Sequence, residues 1–546
     1  MPPSADDLAS GFTPHRPELV ARYRAAGLFD DRPLWSALAD SARSRPEAPA
    51  VTDAATGDRL SYRELLAAAD RRAAGFTEAG LRPGERVVVQ IPNSVEFAVS
   101  FFGLLRAGLV PVLALPAHRI HEIAHLAGAS GARGYLCGAA IGGSDCLGLA
   151  TELQAAVPAV EHVFVDGDPG AFVRLPSRSG PWTPPAVDPD LPALFLVSGG
   201  TTGLPKLIAR THNDYRLNAA RSAEIAGLTD ADVYLAALPA AHNFPLCCPG
   251  LLGVVAVGGH TVFTQNPSPD AAFEVIENHG ITVTALVPAL AQLWCAATEW
   301  EPADLSSLRL LQVGGSKLAA ADAAAIDAAM GPVVQQVFGM AEGLICYTRL
   351  DDPRESVHVS QGAPMSEFDE IRIVDPDGRE VPAGDEGELL VRGPYTLRGY
   401  YRAPEHNARS FTADGFYASG DLVRLLPSGH LAVTGRIKDT IVRAGENVAA
   451  DDVEEHLLAH PAIAHTAVVG LPDDALGESI CAVVVPAREM PAPTLPQVRE
   501  FLTARGLASF KLPDRVQTLD TLPLTSVGKV DKATLRDRLS RRASHR

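Results

Sequence analysis

Leu191-Pro-Ala-Leu-Phe-Leu-Val-Ser-Gly-Gly-Thr-Thr-Gly-Leu-Pro-Lys206 decides how this chain of 546 residues is read. Residues 191–197 are an apolar run of strand length. Ser198–Lys206 hold three glycines and three hydroxyl residues, a mixture that helix and strand interiors disfavour. It suits a loop whose backbone N–H groups curl round an anion, because glycine takes positive φ at little cost. Ser198, Gly199, Gly200, Thr201, Thr202, Gly203 and Lys206 are the expected phosphate cradle. An ordinary glycine-rich turn has the same composition, so the glycines alone do not separate the two. Leu204-Pro205 stand between Gly203 and Lys206, which breaks the G-x-x-x-x-G-K-[ST] spacing of motor and switch ATPases.

On both sides of this loop, strand-like and helix-like stretches alternate. Tyr62–Gly75 and Val95–Ala107 read as helices, with Arg86–Ile91 and Leu109–Leu113 as strands between and after them. The pattern returns in Gly134–Cys137 and His162–Asp166, then in Val233–Pro239, His260–Phe263, Val283–Val287, Leu308–Val313 and Val333–Phe338. Such alternation predicts an α/β body with parallel sheets. Glu370–Val374 and Glu388–Arg392 look antiparallel and predict a small β element beside that body. From Arg436 the pattern changes to mixed helix and strand. The expected organisation is a large N-terminal core over 1–437 and a small α+β domain over 438–546, a usual domain size.

Composition removes several classes. The chain is 47% hydrophobic and 21% charged, which is globular, and too long for one core. Its net charge of −18 argues against a general nucleic-acid-binding surface. It has no apolar run of about 18 residues and an acidic start, Met1-Pro-Pro-Ser-Ala-Asp-Asp, so neither a membrane span nor a secretory leader is expected. Seven scattered cysteines without CxxC spacing point to reduced thiols and a cytoplasmic location. Of 47 basic residues only Lys206, Lys317, Lys438, Lys511, Lys529 and Lys532 are lysine; coding bias explains such a ratio as well as a need for a compact ammonium does, but three of the six fall in the motifs below.

After the glycine-rich loop come Val337-Phe-Gly-Met-Ala-Glu342, Tyr417-Ala-Ser-Gly-Asp421, Gly435-Arg-Ile-Lys-Asp439, Arg443-Ala-Gly-Glu-Asn447 and Pro523-Leu-Thr-Ser-Val-Gly-Lys529, in that order. This set resembles the adenylate-forming superfamily of acyl-CoA synthetases, luciferases and peptide-synthetase adenylation domains. Ala241-His-Asn-Phe-Pro-Leu-Cys-Cys-Pro-Gly250 and Phe338–Asp352 resemble the free-standing aryl-acid adenylating enzymes, the 2,3-dihydroxybenzoate–AMP and salicylate–AMP ligases. The resemblance implies ATP and Mg²⁺, an aromatic carboxylic acid, and release of pyrophosphate from an aryl-AMP. No carrier-domain signature stands in the chain, so the expected acceptor is a phosphopantetheine thiol on a separate aryl carrier protein, or free coenzyme A.

The chemistry gives each motif a part. A carboxylate attacks the α-phosphate of ATP, and both are anionic, so a positive group between them must stabilise the transferring phosphoryl. Lys529, on the glycine-containing turn of the small domain, is the expected catalytic ammonium, although a lysine after a turn is otherwise a surface residue. By resemblance, Asp421 binds ribose and Arg436 ribose or phosphate. Gly314, Gly315, Val337, Phe338 and Gly339 form the adenine slot, Glu342 holds Mg²⁺, and Lys438 is the hinge about which the small domain turns. Outside that context Asp421 reads as a turn residue, Arg436 as a solvated one, and Val337-Phe338 as core.

For the acid, the resemblance places Asn243 on the ring substituent ortho to the carboxylate, Phe244 along the ring and His242 near the carboxylate. Val337, Ala341 and Ile345 are the expected apolar walls. Cys248 stands where the dihydroxybenzoate enzymes carry serine. A thiol is a weak donor, so a buried 3-hydroxyl there would go poorly paired. Cys248 and the bulk of Ile345 therefore favour salicylate. Ser316 is expected at the ring's far edge, which leaves 2,3-dihydroxybenzoate, anthranilate and a hydroxylated anthranilate as alternatives.

Overall fold

The structure is a computed structural model describing residues 5–543 except 142, 199–204, 444–445, 474–475, 506, 508 and 526–527. Two mainly parallel sheets form the body. One has seven strands, in the order Leu207–Thr211, Pro192–Val197, Val110–Leu113, Arg86–Gln90, Gly134–Gly138, His162–Asp166, Val173–Arg174. The other has nine. Its parallel centre runs Val334–Gly339, Leu310–Gly314, Val283–Leu286, Val233–Ala236, His260–Phe263, Pro49–Asp53, and antiparallel strands close both edges. Helices Tyr62–Glu78 and Val95–Arg106 share one apolar core with both sheets, which joins Val87 and Val89 of the first to Val51, Ala236 and Phe263 of the second. Phe97, Phe101 and Phe102 are fully buried there. Each such side chain contributes about 1.5–3 kcal/mol on leaving water.

Local chemistry sets where the helices begin. Ser61 and Glu64 make a reciprocal capping box at the start of Tyr62–Glu78, and the Ser94 hydroxyl accepts the Phe97 N–H at the start of Val95–Arg106. Satisfied first-turn donors of this kind are worth about 1 kcal/mol each.

The small β element is larger than the sequence suggests. Glu370–Val374 and Gly387–Arg392 pair antiparallel as expected, and Tyr417–Leu425 and Leu431–Arg436 extend them to a four-stranded sheet. The turn Ile437–Asp439 leads directly from that sheet to Thr440–Arg443 of a fourth, C-terminal one. That sheet contains Gly477–Pro486 and Ile463–Asp473, with Arg515–Thr518 paired in parallel to the former, and helices Ala450–Leu458 and Leu495–Ala504 pack on it. Helices His212–Ile225, Ala320–Met330 and Lys532–Ala543 had no reading from the sequence. Among the described residues no helix is long and apolar enough to cross a membrane.

Candidate active site

Pro192–Val197 and Leu207–Thr211 form a hairpin, and the glycine-rich loop is its tip. Ser198 N–H donates to the Lys206 carbonyl at 3.0 Å, and Lys206 N–H to Ser198 Oγ at 3.0 Å, so the two ends of the loop are clamped. Gly199, Gly200, Thr201, Thr202 and Gly203 lie outside the described residues.

Ser198 and Lys206 open onto a cavity of about 510 Å³ between the large body and the C-terminal domain. Asp421, Arg436, Lys438 and Lys529 line one part of it, Glu342 and Tyr400 another, and His242, Asn243, Phe244, Cys248, Val337, Ala341 and Ile345 a third. Residues from seven separate stretches of chain thus meet in one place.

Backbone register builds the second wall. Asp421 and Arg436 are direct partners across antiparallel strands, and their side chains pair at 2.7 Å. Ser419 Oγ accepts the Asp421 N–H at 3.1 Å and donates to the Leu389 carbonyl at 2.9 Å. The pairing slips by two residues against Gly387–Arg392 and by one against Leu431–Arg436, next to Asp421, and only 2% of Asp421 is exposed. Asp421 holds the Arg436 guanidinium above its usual range.

Lys529 enters from the small domain. Its N–H donates to Thr525 Oγ1 at 3.1 Å, and Gly528 takes φ +80° to make the turn. Gly315, at φ +88°, leaves the space: a Cβ there would lie 3.2 Å from Lys529 Cε. Burial lowers the Lys529 ammonium to about 8, with Arg436 acting in the same direction. An exposed pair, Lys317 Nζ to Glu455 Oε2 at 2.9 Å, links the body to helix Ala450–Leu458 of the C-terminal domain.

His242 caps helix Asn243–Cys247, its Nδ1 accepting the Phe244 N–H at 3.3 Å. Accepting at Nδ1 leaves Nε2 as the donor. Burial, and then the nearby Lys529 ammonium, push His242 down to about 3, so the ring is a neutral hydrogen-bonding group. Asn243 Oδ1 accepts from the Tyr215 hydroxyl at 2.8 Å, and Asn243 Nδ2 points at Cys248 Sγ, 3.4 Å away. Asn218 Nδ2 also approaches that sulfur, at 3.7 Å. Burial pushes the Cys248 thiol up to about 12, so it is a neutral thiol.

Glu342 sits in the loop after strand Val334–Gly339. Tyr400 OH donates to its Oε1 at 2.8 Å, and Tyr400 and Tyr417 hydroxyls pair at 2.9 Å. Arg210, buried with Asp214 at 3.1 Å, donates to the Ala341 carbonyl at 2.9 Å and fixes the loop from behind. Among the described residues no group of three His, Cys, Asp or Glu stands together as a metal site. A single carboxylate with free lone pairs is nonetheless the protein share that Mg²⁺ takes when phosphate oxygens and water supply the rest, so Glu342 fits that ion.

Three expected members do not line the cavity. Phe338 follows Val337 on a strand, and side chains alternate in direction there. Val337 therefore faces the cavity while Phe338 packs on the apolar core. Ser316 is exposed, one residue beyond Gly315, and does not reach the aryl end. Gly314 lies behind the wall, where a Cβ would meet the Val337 carbonyl at 2.5 Å and the Phe244 ring at 3.2 Å. Gly339 does line the cavity. Sequence reasoning missed Tyr400, Glu388 and Asn218. The pair Tyr400-Tyr401, two adjacent aromatics next to Gly399, was the available signal for the first.

Comparison with known proteins gives the same picture. The AMP-binding enzyme family model matches residues 38–401, and the AMP-binding enzyme C-terminal domain model matches 452–529. The chain is 53% identical to the salicyl-AMP ligase / salicyl-S-ArCP synthetase of Mycobacterium tuberculosis, over 98% of this chain and 95% of that one. It is 47% identical to the 2,3-dihydroxybenzoate-AMP ligase of Bacillus subtilis, over 98% of each. It superposes on the apo structure of Mycobacterium smegmatis MbtA with a TM-score of 0.76 at 53% identity, over 97% of this chain and 99% of that one.

Proposed function

The chain belongs to the AMP-binding enzyme family, and from that premise we propose that it activates an ortho-substituted aromatic acid, salicylate first, as the aryl-AMP. The observation that carries the reading is the meeting of Lys529, the Asp421–Arg436 pair and the Asn243–Phe244–Cys248 corner in one cavity. Asp421 accepts from the ribose hydroxyls. The Gly315 and Gly339 backbone and the side chain of Val337 give the base its slot. Asn243 and Phe244 seat the ring, with Cys248 behind it and Ala341 and Ile345 as walls.

In the reaction an oxygen of the aryl carboxylate bonds to the α-phosphorus as the bond to the pyrophosphate oxygen breaks. The leaving group takes the electron pair. Lys529 brings a full positive charge to the transferring phosphoryl inside a site that is largely shielded from water, where such a charge is worth most. His242, neutral and donating through Nε2, orients the incoming carboxylate. Family enzymes work with Mg²⁺, which screens the phosphate charges; Glu342 is the residue that would hold it.

The aryl-AMP is then transferred to a thiol, by preference that of a separate aryl carrier protein, with free coenzyme A as the alternative acceptor. This step needs Lys529 withdrawn, and Lys438, in the turn Ile437–Asp439 between two sheets, is where a change of φ/ψ would swing residues 438–546 as a unit. The test is ATP–pyrophosphate exchange across a panel of ortho-substituted benzoates. Salicylate should give the highest kcat/KM. Exchange with no member of the panel, or ADP and phosphate as products, would overturn the reading.

A further inference from the structure

Helix Pro404–Ser410 supplies His406, Arg409 and Ser410 to the cavity wall, and none has a part in the chemistry above. The ring of Tyr400 supports two groups at once. His406 packs edge-on against it with centroids 4.9 Å apart, and Lys206 Nζ lies 5.4 Å from its centroid. His406 Nε2 is 3.0 Å from Ser410 Oγ, which fixes the ring. Burial, and then the Lys206 and Arg409 cations, hold His406 below its usual value, so the ring serves as a hydrogen-bonding group whose charged form only an incoming anion would favour. Among the described residues neither Lys206 nor Arg409 has an ion-pair partner, in a chain whose net charge is −18. Two cations, Lys206 and the exposed Arg409, and an imidazole are thus gathered at one cavity, and among the described residues none of the three forms an ion pair with a carboxylate.

Such a cluster is built for a polyanion. Its place names which one. Lys206 ends the phosphate loop and also belongs to the cluster, so the cluster lies on the phosphate side of Tyr400. We infer that His406 and Arg409 bind the outer phosphates of the nucleotide and then the pyrophosphate that leaves. The inference rests on the adenylation reading and adds a residue pair that governs retention of the leaving group.

Arg409→Ala and His406→Ala test it, read by exchange kinetics and by calorimetric titration of each protein with inorganic pyrophosphate and Mg²⁺. The Kd for pyrophosphate and the KM for ATP should each rise about ten-fold, while the KM for the aryl acid stays within about two-fold. Arg409→Lys should recover most of the loss. Unchanged pyrophosphate binding in both alanine variants overturns the inference alone. So does an equal rise in the KM for the aryl acid, which would mark a structural role. A wild-type protein with no exchange on any aryl acid would overturn the adenylation reading and this inference together.

Discussion

On the proposed function, Cys248→Ser should shift the acid preference from salicylate toward 2,3-dihydroxybenzoate. Cys248 is 2% exposed, and its sulfur is approached by Asn243 Nδ2 at 3.4 Å and Asn218 Nδ2 at 3.7 Å. With the thiol pushed up to about 12 it stays neutral, a poor donor and a poor acceptor. Salicylate asks nothing of it. The 3-hydroxyl of the dihydroxy acid, buried against it, would lose its water without gaining a partner, at a cost of about 1–3 kcal/mol. Serine supplies that partner and keeps an acceptor for both asparagines. The ratio of kcat/KM for the two acids in ATP–pyrophosphate exchange should therefore move toward the dihydroxy acid by about 5-fold to 150-fold. Cys248→Ala separates space from hydrogen bonding, since it widens the pocket without adding a hydroxyl. It should move the ratio far less than serine does. A ratio that serine leaves within about two-fold of wild type, or a wild-type enzyme that already prefers the dihydroxy acid, would refute the role assigned to the thiol.

Two further outcomes follow from the same geometry. Because Lys529 titrates at about 8, it is the charged ammonium below that pH and the neutral amine above it. Thus kcat/KM for ATP should fall as pH rises through about 8, Lys529→Ala should be slower by about 10²–10³ and lack that limb, and Lys529→Arg should move the limb past the measurable range. A pH–rate profile that is level from pH 7 to 9 in the wild type would contradict the role. For the exposed Lys317–Glu455 pair, worth about 0.2–1 kcal/mol, Lys317→Glu or Glu455→Lys should slow adenylation by about two-fold to five-fold at low salt. The double swap should restore it, and failure of that rescue would mean that the pair does not hold the two domains together.

The sequence announced elements wherever a single physical rule governed them. The parallel strands at Arg86–Gln90, Val283–Leu286 and His162–Asp166 are buried on both faces, so their apolar runs are continuous and easily read. Tyr62–Glu78 carries its own capping signal. Helix His212–Ile225 was opaque because it is amphipathic only weakly and buries polar side chains, among them Asn213, Asp214, Asn218 and Ser222. Two of those buried polar groups, Asp214 through Arg210 and Asn218 at Cys248, support the site from behind, which is why function hid the helix. Tyr417–Leu425 was hidden in another way: Ser419-Gly420 reads as a turn, and the pairing slips around those residues, next to the buried Asp421. Phe338 was misplaced because a motif gives neighbours without giving faces; only the strand alternation says that it and Val337 part company.

The position of Arg436 carries a consequence for how both half-reactions share one site. Arg436 is the last residue of the strand Leu431–Arg436, and the turn Ile437–Asp439 begins at the next residue. A rotation within that turn moves everything C-terminal to it and leaves the register of Arg436 with Asp421 unchanged. On the proposed function, the residues assigned to the ribose lie on the stationary side of the junction, and Lys529 on the moving side. The group that must leave after adenylation can leave while the intermediate stays held. Its withdrawal also frees the space above Gly315, which Lys529 Cε closes to within 3.2 Å of a Cβ position. Val287 Cγ1 lies 3.4 Å from the same Cβ position, so the space that Lys529 vacates is bounded by an apolar side chain and is open to an entering thiol. A side chain at 315 would narrow the same passage. Gly315→Ala should accordingly depress thioester formation even when aryl-AMP is supplied ready-made, and normal transfer by that variant would place the thiol's route elsewhere.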